Sequence, residues 1–364
     1  MTNISEENYL SLFEKKKIIF IQEFEKFRSI EYFQSPFHSY RHRAEFRMIK
    51  QNNELFYSMK INGKHEVINS FPIASKKIQD LMTPLRELIN RNPLISKKLF
   101  QVEFQSSRNN ESMVGLIYHR KLDDEWHKVA SDISSKLKTS IIGRSRNQKI
   151  IIGQDYVAEQ YNSLIKRFRL RLYEQCFSQT NPDICDRIIN WIEENEKKDS
   201  DIVELHCGIG TFTIPLSRLF NNVIATENSR PSLIALENNI QSNGCTNIKY
   251  ARLSGKETLD AYEEKREFRR LIDNKINLKA YNIKSIFVDP PREGIDQKTL
   301  SKISQFNQII YISCGFESLK RDLNFLKKTH KIKKVAMFDQ FPYTNHIESG
   351  VILERITPVD SINL

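Results

Sequence analysis

The sequence predicts an α/β protein built in two parts. The first is an α+β domain over residues 1–180, and the second, over residues 181–364, is a parallel sheet with helices on both faces. Three observations carry this. From Asp183 onward, short apolar runs alternate with helical patterns, as βα units do. Ile202–Phe212 reads as a strand, a glycine turn and a helix start, a local form that admits a ligand to the backbone. Before Asp183 the candidate strands lie next to Asn-Asn turns, which is the language of hairpins and an antiparallel sheet.

Along the chain, residues 5–30 read as a helix, with Leu10, Phe13, Phe20, Phe24 and Phe27 at roughly helical spacing. Ser39–Met48 interleaves basic and aromatic residues as a strand, and Glu54–Ile61 returns beside it after Asn52-Asn53. Arg41, Arg43 and Arg47 share one parity, so in a strand they share one face, which suits phosphate contact. Ser75–Asn92 is helical, with Pro84 as a possible kink. Leu99–Gln105 and Met113–His119 are strands, Asp123–Leu137 a helix, and Ile141–Gly143 and Lys149–Gly153 short strands. Lys166–Arg171 is a second basic strand.

In the second part, Asp201–His206, Asn222–Thr226, Asn247–Tyr250, Ser285–Asp289 and Gln308–Cys314 read as strands. Pro182–Glu196, Thr211–Phe220, Pro231–Asn243, Glu257–Glu264 and Phe316–Lys328 read as helices. Val335–Phe338 and Ser349–Glu354 close the sheet, with an antiparallel strand at the end.

Composition bounds the function. The chain has 364 residues, room for two cores, and a net charge of +11, which favours an anionic partner with nucleic acid first. No apolar run approaches the ~18–20 residues that cross a membrane, and no signal-peptide pattern opens the chain. The five cysteines are Cys176, Cys185, Cys207, Cys245 and Cys314. An odd count without a CxxC pair argues for a reducing cytoplasm and against a metal or iron–sulfur site.

Four stretches carry chemistry. In Glu204-Leu205-His206-Cys207-Gly208-Ile209-Gly210-Thr211 the place of a third fingerprint glycine is taken by Thr213, a poor fit to a dinucleotide. Glu227 ends the next strand, where a carboxylate accepts from ribose hydroxyls. With acidic Glu204 and polar Thr211, the loop suits a cationic nucleoside without phosphate, and S-adenosyl-L-methionine answers that description. Asp289-Pro290-Pro291-Arg292 sets an acid at a strand end on a rigid backbone. Cys314 stands where Ile309–Ser313 ends, and ligands bind outside the carboxyl ends of such strands. Glu348 precedes the last strand. Alone, each has a plain structural alternative: a buried thiol, a tight turn, a solvated acid.

Together these motifs resemble the RNA uracil-5-methyltransferases. Further along the likeness are Tyr40–Arg47, Ser70-Phe71-Pro72, Lys121–Trp126, Tyr311–Cys314 and Asp339-Gln340-Phe341-Pro342-Tyr343-Thr344 with His346 and Glu348. The resemblance implies a Rossmann-like class I S-adenosylmethionine-dependent methyltransferase domain preceded by an RNA-binding domain. It implies methylation of uridine C5 in the T-loop of tRNA (position 54, forming ribothymidine), with the tRNA-like part of tmRNA as a second substrate. The nucleophile falls on Cys314 and the base on Glu348. Cofactor contacts fall on Gln179, His206, Thr211, Glu227 and Asp289, and RNA contacts on Arg41, Arg43, Arg47 and Arg292. A monomer in the cytoplasm is expected.

The chain departs from the family pattern in places. Ser313-Cys314-Gly315-Phe316 stands where Ser-Cys-Asn-Pro is usual. His206 stands for tyrosine, Ile209 and Thr211 for asparagines, and Ser349 for cysteine. Two alternatives stay open at this point: a ribosomal RNA substrate, and a tRNA-binding folding chaperone without catalysis.

The chemistry needs these residue types. Uracil C5 is a weak nucleophile until a thiolate adds to C6 and makes C5 an enolate carbon. A carboxylate must then remove the C5 proton before sulfur can leave.

Overall fold

In the computed structural model, described for residues 4–27, 29–196 and 199–356, two large sheets form. The chain opens with helix α1 (Glu6–Glu23), whose N-cap Ser5 accepts from Asn8 N, and strand β1 (Ile30–Phe33). A seven-stranded sheet follows, in the order β4-β3-β2-β5-β6-β7-β8. Its strands are β2 (Arg43–Gln51), β3 (Glu54–Ile61), β4 (Lys64–Val67), β5 (Leu99–Ser106), β6 (Ser112–Tyr118), β7 (Ser140–Ser145) and β8 (Gln148–Ile152). The β2–β3 turn sits on Asn52 and Asn53, both with positive φ, as the asparagine pair foretold. Helices α2 (Lys76–Arg91), α3 (Pro93–Ser96) and α4 (Asp124–Leu137) cover one face, burying Ile78, Leu85, Ile89 and Trp126 against Phe46, Val102 and Leu116. The hairpin β9 (Tyr156–Tyr161) and β10 (Phe168–Tyr173) stands apart as a two-stranded sheet. Its apolar side joins the core of the next domain.

The second sheet has eight strands, ordered β1-β16-β17-β15-β14-β11-β12-β13. Helix α5 (Pro182–Asn195) precedes β11 (Asp201–Leu205). Then come α6 (Thr213–Leu216), β12 (Val223–Thr226), α7 (Arg230–Asn243), β13 (Ile248–Ala251), α8 (Gly255–Tyr262) and α9 (Arg269–Asp273). The chain continues through β14 (Ile283–Val288), α10 (Gln297–Ile303), β15 (Gln308–Ser313), α11 (Phe316–Leu326), β16 (His330–Phe338) and β17 (Glu348–Arg355). Strands β11 to β15 are parallel, and β17 runs antiparallel between β15 and β16. The order reverses at β14/β11/β12, the switch point where α/β sheets open a crevice.

Two expectations are corrected. The division at residue 180 does not follow the packing. Strand β1 pairs in parallel with β16, from Ile30↔Val335 to Phe33↔Phe338, and α1 buries Tyr9, Phe13 and Phe20 in the core under the eight-stranded sheet. The leading segment thereby covers what would otherwise be a bare edge at β16. Second, Arg41, Arg43 and Arg47 do not form one open strand face. Strand β2 begins only at Arg43, and Arg41 precedes it in a single bridge to Ala74. The half-buried Arg41 donates through Nε to Arg43 O, and Arg43 donates to Cys176 O and Glu174 O. Arg43 is thus spent on the seam toward residues 174 and 176 and Arg41 on its own neighbouring backbone, while Arg47 is exposed and lies over the Phe100 ring.

Candidate active site

The carboxyl ends of the parallel strands and the start of the antiparallel one meet at one edge, so the sheet itself assembles the site. Cys314 follows β15 and Glu348 opens β17. Ser313 pairs with Ser349, so Cys314 and Glu348 stand side by side where that ladder ends. Asp289 follows β14, the next strand over. Glu348 is also paired with Phe338, which places Asp339 at the same edge.

Glu348 is 3% exposed, and Cys314 is a half-buried free thiol. Burial pushes the Cys314 thiol up to about 11, and the negative charges of Glu348 and Asp289 push the same way. Arg292 opposes them, by charge and by a hydrogen bond to the thiol. Glu348 is held well above the usual carboxylate range, chiefly by burial and then by Asp289, again against Arg292. Burial raises Asp289 to about 7. Arg292 is therefore the positive group set against three groups that resist becoming anions together.

The Cys314 turn is framed by oxygens and by one close approach. Gly315 N donates to Ser313 Oγ, and Ser318 Oγ donates to Arg292 O at 2.8 Å. A Cβ on Gly315 would stand 2.3 Å from Arg292 O and 2.5 Å from Ser318 Oγ. The unusual Gly315 thus lets the Pro290-Pro291 loop lie directly on the turn that aims the thiol. Phe316 begins α11, the helix position where a proline is commonly found. Its ring stacks on Phe20 of α1, centroids 5.4 Å apart. The far end of the loop is fastened by Asp322, fully buried, which accepts from Ile295 N and Tyr311 OH.

The crevice after β11 is lined as a nucleoside site requires. His206 and Gly208 both take positive φ, and nothing lies within 4 Å of where a Gly208 side chain would be. Gly210, at φ +97°, has Leu236 Cδ1 2.7 Å from where a Cβ would sit. Glu227 accepts from Gly208 N at 3.1 Å and Ser229 N at 2.7 Å, which fixes its carboxylate under the loop. Thr211 is 9% exposed. Gln179 reaches the site from the seam and accepts from Gln340 Nε2 at 2.7 Å. Glu204 is 1% exposed, its Oε2 has no partner, and burial raises it to about 8. An open glycine turn with Glu204, Glu227 and Asp289 beside it leaves room for a nucleoside cofactor such as S-adenosyl-L-methionine.

Of the residues expected from sequence, Cys314, Glu348, Asp289, Arg292, His206, Thr211 and Glu227 lie in or just past the strand ends at one edge of the eight-stranded sheet, Gln179 reaches them from the seam, and Arg41, Arg43 and Arg47 lie before or in β2 of the other sheet. Sequence reasoning passed over Lys16. It is 5% exposed and donates to Asp339 Oδ1 at 2.7 Å and Phe341 O at 2.9 Å. A signal was present: Lys16 sits on the stripe Tyr9, Phe13, Phe20, where an apolar residue belongs. His346 is exposed, and burial with the nearby Arg292 and Lys16 charges holds its imidazole low. Among the described residues there is no cluster that could hold a metal, and no helix is long and apolar enough to cross a membrane.

A family model described as tRNA (Uracil-5-)-methyltransferase matches residues 8–356. A relative from Acinetobacter baylyi named tRNA/tmRNA (uracil-C(5))-methyltransferase is 45% identical over 335 residues, 90% of this chain and 93% of that one. A relative of the same name from Neisseria meningitidis serogroup B is 45% identical over 332 residues, 89% of this chain and 92% of that one. Among solved structures, the Pyrococcus abyssi tRNA (uracil-54, C5)-methyltransferase in complex with S-adenosyl-L-homocysteine is similar in fold. Its TM-score is 0.74 at 18% identity, over 95% of this chain and 83% of that one.

Proposed function

The chain belongs to the tRNA (uracil-5-)-methyltransferase family, and from that membership we propose that Cys314 and Glu348 are its reacting pair. The enzyme methylates uridine C5 in tRNA with S-adenosyl-L-methionine as donor. The target we propose is position 54 in the T-arm, with the matching loop of tmRNA as a second substrate. It acts as a monomer in the cytoplasm. The observation that carries the reading is the placement of Cys314 beside Glu348 at the end of the β15–β17 ladder, with Asp289 on the next strand.

At neutral pH the free enzyme holds Cys314 as a thiol, so addition begins with transfer of the Sγ proton to solvent water, and Arg292 favours the thiolate that remains. The thiolate bonds to uracil C6, and the C5–C6 π pair moves to C5. S-adenosyl-L-methionine, when bound, supplies an electrophilic methyl group. The Glu348 carboxylate then takes the C5 proton. The C5–H electrons restore the double bond, and the C6–S bond breaks to return the thiolate. Arg292 favours the ionised form of Glu348, the form that accepts the proton, and burial gives that carboxylate a raised proton affinity.

Glu227 is placed on the ribose hydroxyls, and Asp289, His206, Thr211 and Gln179 around the rest of the cofactor. For RNA we propose the seven-stranded sheet and its leading basic residues as the docking side. Exposed Arg47 meets phosphate on that sheet and exposed Arg292 meets it at the mouth of the site beside Cys314, while Arg43 holds the seam. The target base must leave its stack to reach Cys314, at roughly a few kcal/mol.

The test uses tRNA and methyl-labelled cofactor with Cys314→Ala and Glu348→Gln. Glutamine cannot accept a proton, so Glu348→Gln should accumulate a methyl-labelled protein–RNA adduct that survives a denaturing gel. Cys314→Ala should form none and methylate nothing. Turnover by Cys314→Ala removes the assignment. Normal turnover by Glu348→Gln, with trapping in His346→Asn, moves the base to His346.

A further inference from the structure

We infer that Lys16, on the leading helix, is a positioning residue for Glu348. The inference rests on the assignment of Glu348 as the C5 base and deepens it. Residues 339–347 join β16 to β17, and whatever holds this loop sets where Glu348 starts. Asp339 N donates to Phe33 O, which fixes the loop's entry on the backbone. Lys16 Nζ then clamps it at two points, the Asp339 carboxylate and the Phe341 carbonyl. Tyr40 OH donates to Pro342 O, and Tyr343 OH to Phe37 O. These anchors lie before residue 41 in the chain, Gln179 on Gln340 adds one from the seam, and Lys16 is the charged one.

The chemistry of the clamp argues against a purely stabilising role. A lysine and an aspartate this deeply buried lose their hydration, and well-packed apolar residues usually serve stability as well or better. What an ion pair adds is direction. Its geometry is short and oriented, and it aims the chain segment that follows. The same helix also touches the other half of the pair: Phe20 stacks on Phe316, two residues past Cys314. Helix α1 thus spans both turns that deliver the reacting side chains.

The prediction is a loss at one step. A shift of about 1 Å in a reacting group can cost ~10²-fold in rate. Lys16→Met keeps the apolar stem and removes the clamp. It should slow kcat at least tenfold, accumulate methylated adduct, and leave KM for tRNA within about twofold. Because Lys16→Met strands the Asp339 carboxylate, the decisive protein is Lys16→Met with Asp339→Asn, which removes the buried pair as a unit, a change that folds tolerate. It should show the same slow release of tritium from 5-tritiated uridine in tRNA and the same trapped adduct. Lys16→Arg, which keeps the charge, should recover part of the rate. Full turnover by the double variant overturns the inference, because Lys16 would then merely neutralise Asp339. So does a fall in rate without trapped adduct, which would mean general loosening. If Glu348→Gln run alongside traps no adduct, the base assignment itself fails and the inference goes with it. If it traps and the double variant does not, only the inference fails.

Discussion

Replacing Gly315 by alanine tests how the thiol is aimed. The backbone at Gly315 lies at φ −114°, which any residue adopts, so the substitution carries no conformational strain of its own. The obstacle is space. The new Cβ would sit 2.3 Å from Arg292 O and 2.5 Å from Ser318 Oγ, while ordinary contact begins near 3.4 Å. Ser318 can rotate, but its Oγ donates to Arg292 O, so rotation gives up that bond. The carbonyl belongs to a loop fixed at its far end by Ile295 N on Asp322, and Arg321 donates to Glu293 O and Ile295 O. The loop must therefore retreat by about 1 Å or the Cys314 turn must. Overpacking of this kind costs roughly 1–3 kcal/mol of stability. A 1 Å misplacement of the nucleophile proposed at Cys314 costs ~10²-fold in rate. The expected outcome is a folded Gly315→Ala enzyme whose single-turnover rate of adduct formation falls about a hundredfold, with cofactor affinity little changed. Wild-type adduct rates in Gly315→Ala would refute the reasoning, and would mean that Arg292 is free to move without consequence for the thiol.

Two further outcomes follow from the electrostatics. Iodoacetamide should label Cys314 slowly at pH 8, because with a thiol held up to about 11 only ~10⁻³ of it is thiolate there. Labelling should rise with pH toward that value. Glu348→Gln removes a negative neighbour and should speed labelling, whereas Arg292→Gln should slow it; peptide mapping of Cys314 reads both, and the reverse order would contradict the assigned charges. Arg47→Gln should flatten the log–log salt dependence of tRNA binding by roughly 0.7–0.9, whereas Arg43→Gln, which loses bonds to Cys176 O and Glu174 O, should lower Tm instead. Equal slopes for wild type and Arg47→Gln in a filter-binding titration would make Arg47 a solvated residue only.

Much of the protein is determined locally. The βα alternation after Asp183 and the hairpin at Asn52-Asn53 follow from periodicity and turn chemistry that act over a few residues. The glycine turn after β11, the Asp289 turn and the thiol at a strand end are local in the same sense, and strand order then brings them to one edge. What the tertiary structure alone decided is everything that depends on partners far along the chain. The strand Ile30–Phe33 has no strong alternation, and it exists because β16 offers it an edge. Arg41 and Arg43 read as an open basic face, yet carbonyls at residues 43, 174 and 176 claim them. Gly315 looked like a departure in a catalytic turn until Arg292 O was found where its side chain would be. Lys16 is a charge on an apolar stripe, and its partner is 323 residues away. No local pattern encodes such a pair, because its energy appears only when the last two strands have closed the sheet beside the first helix.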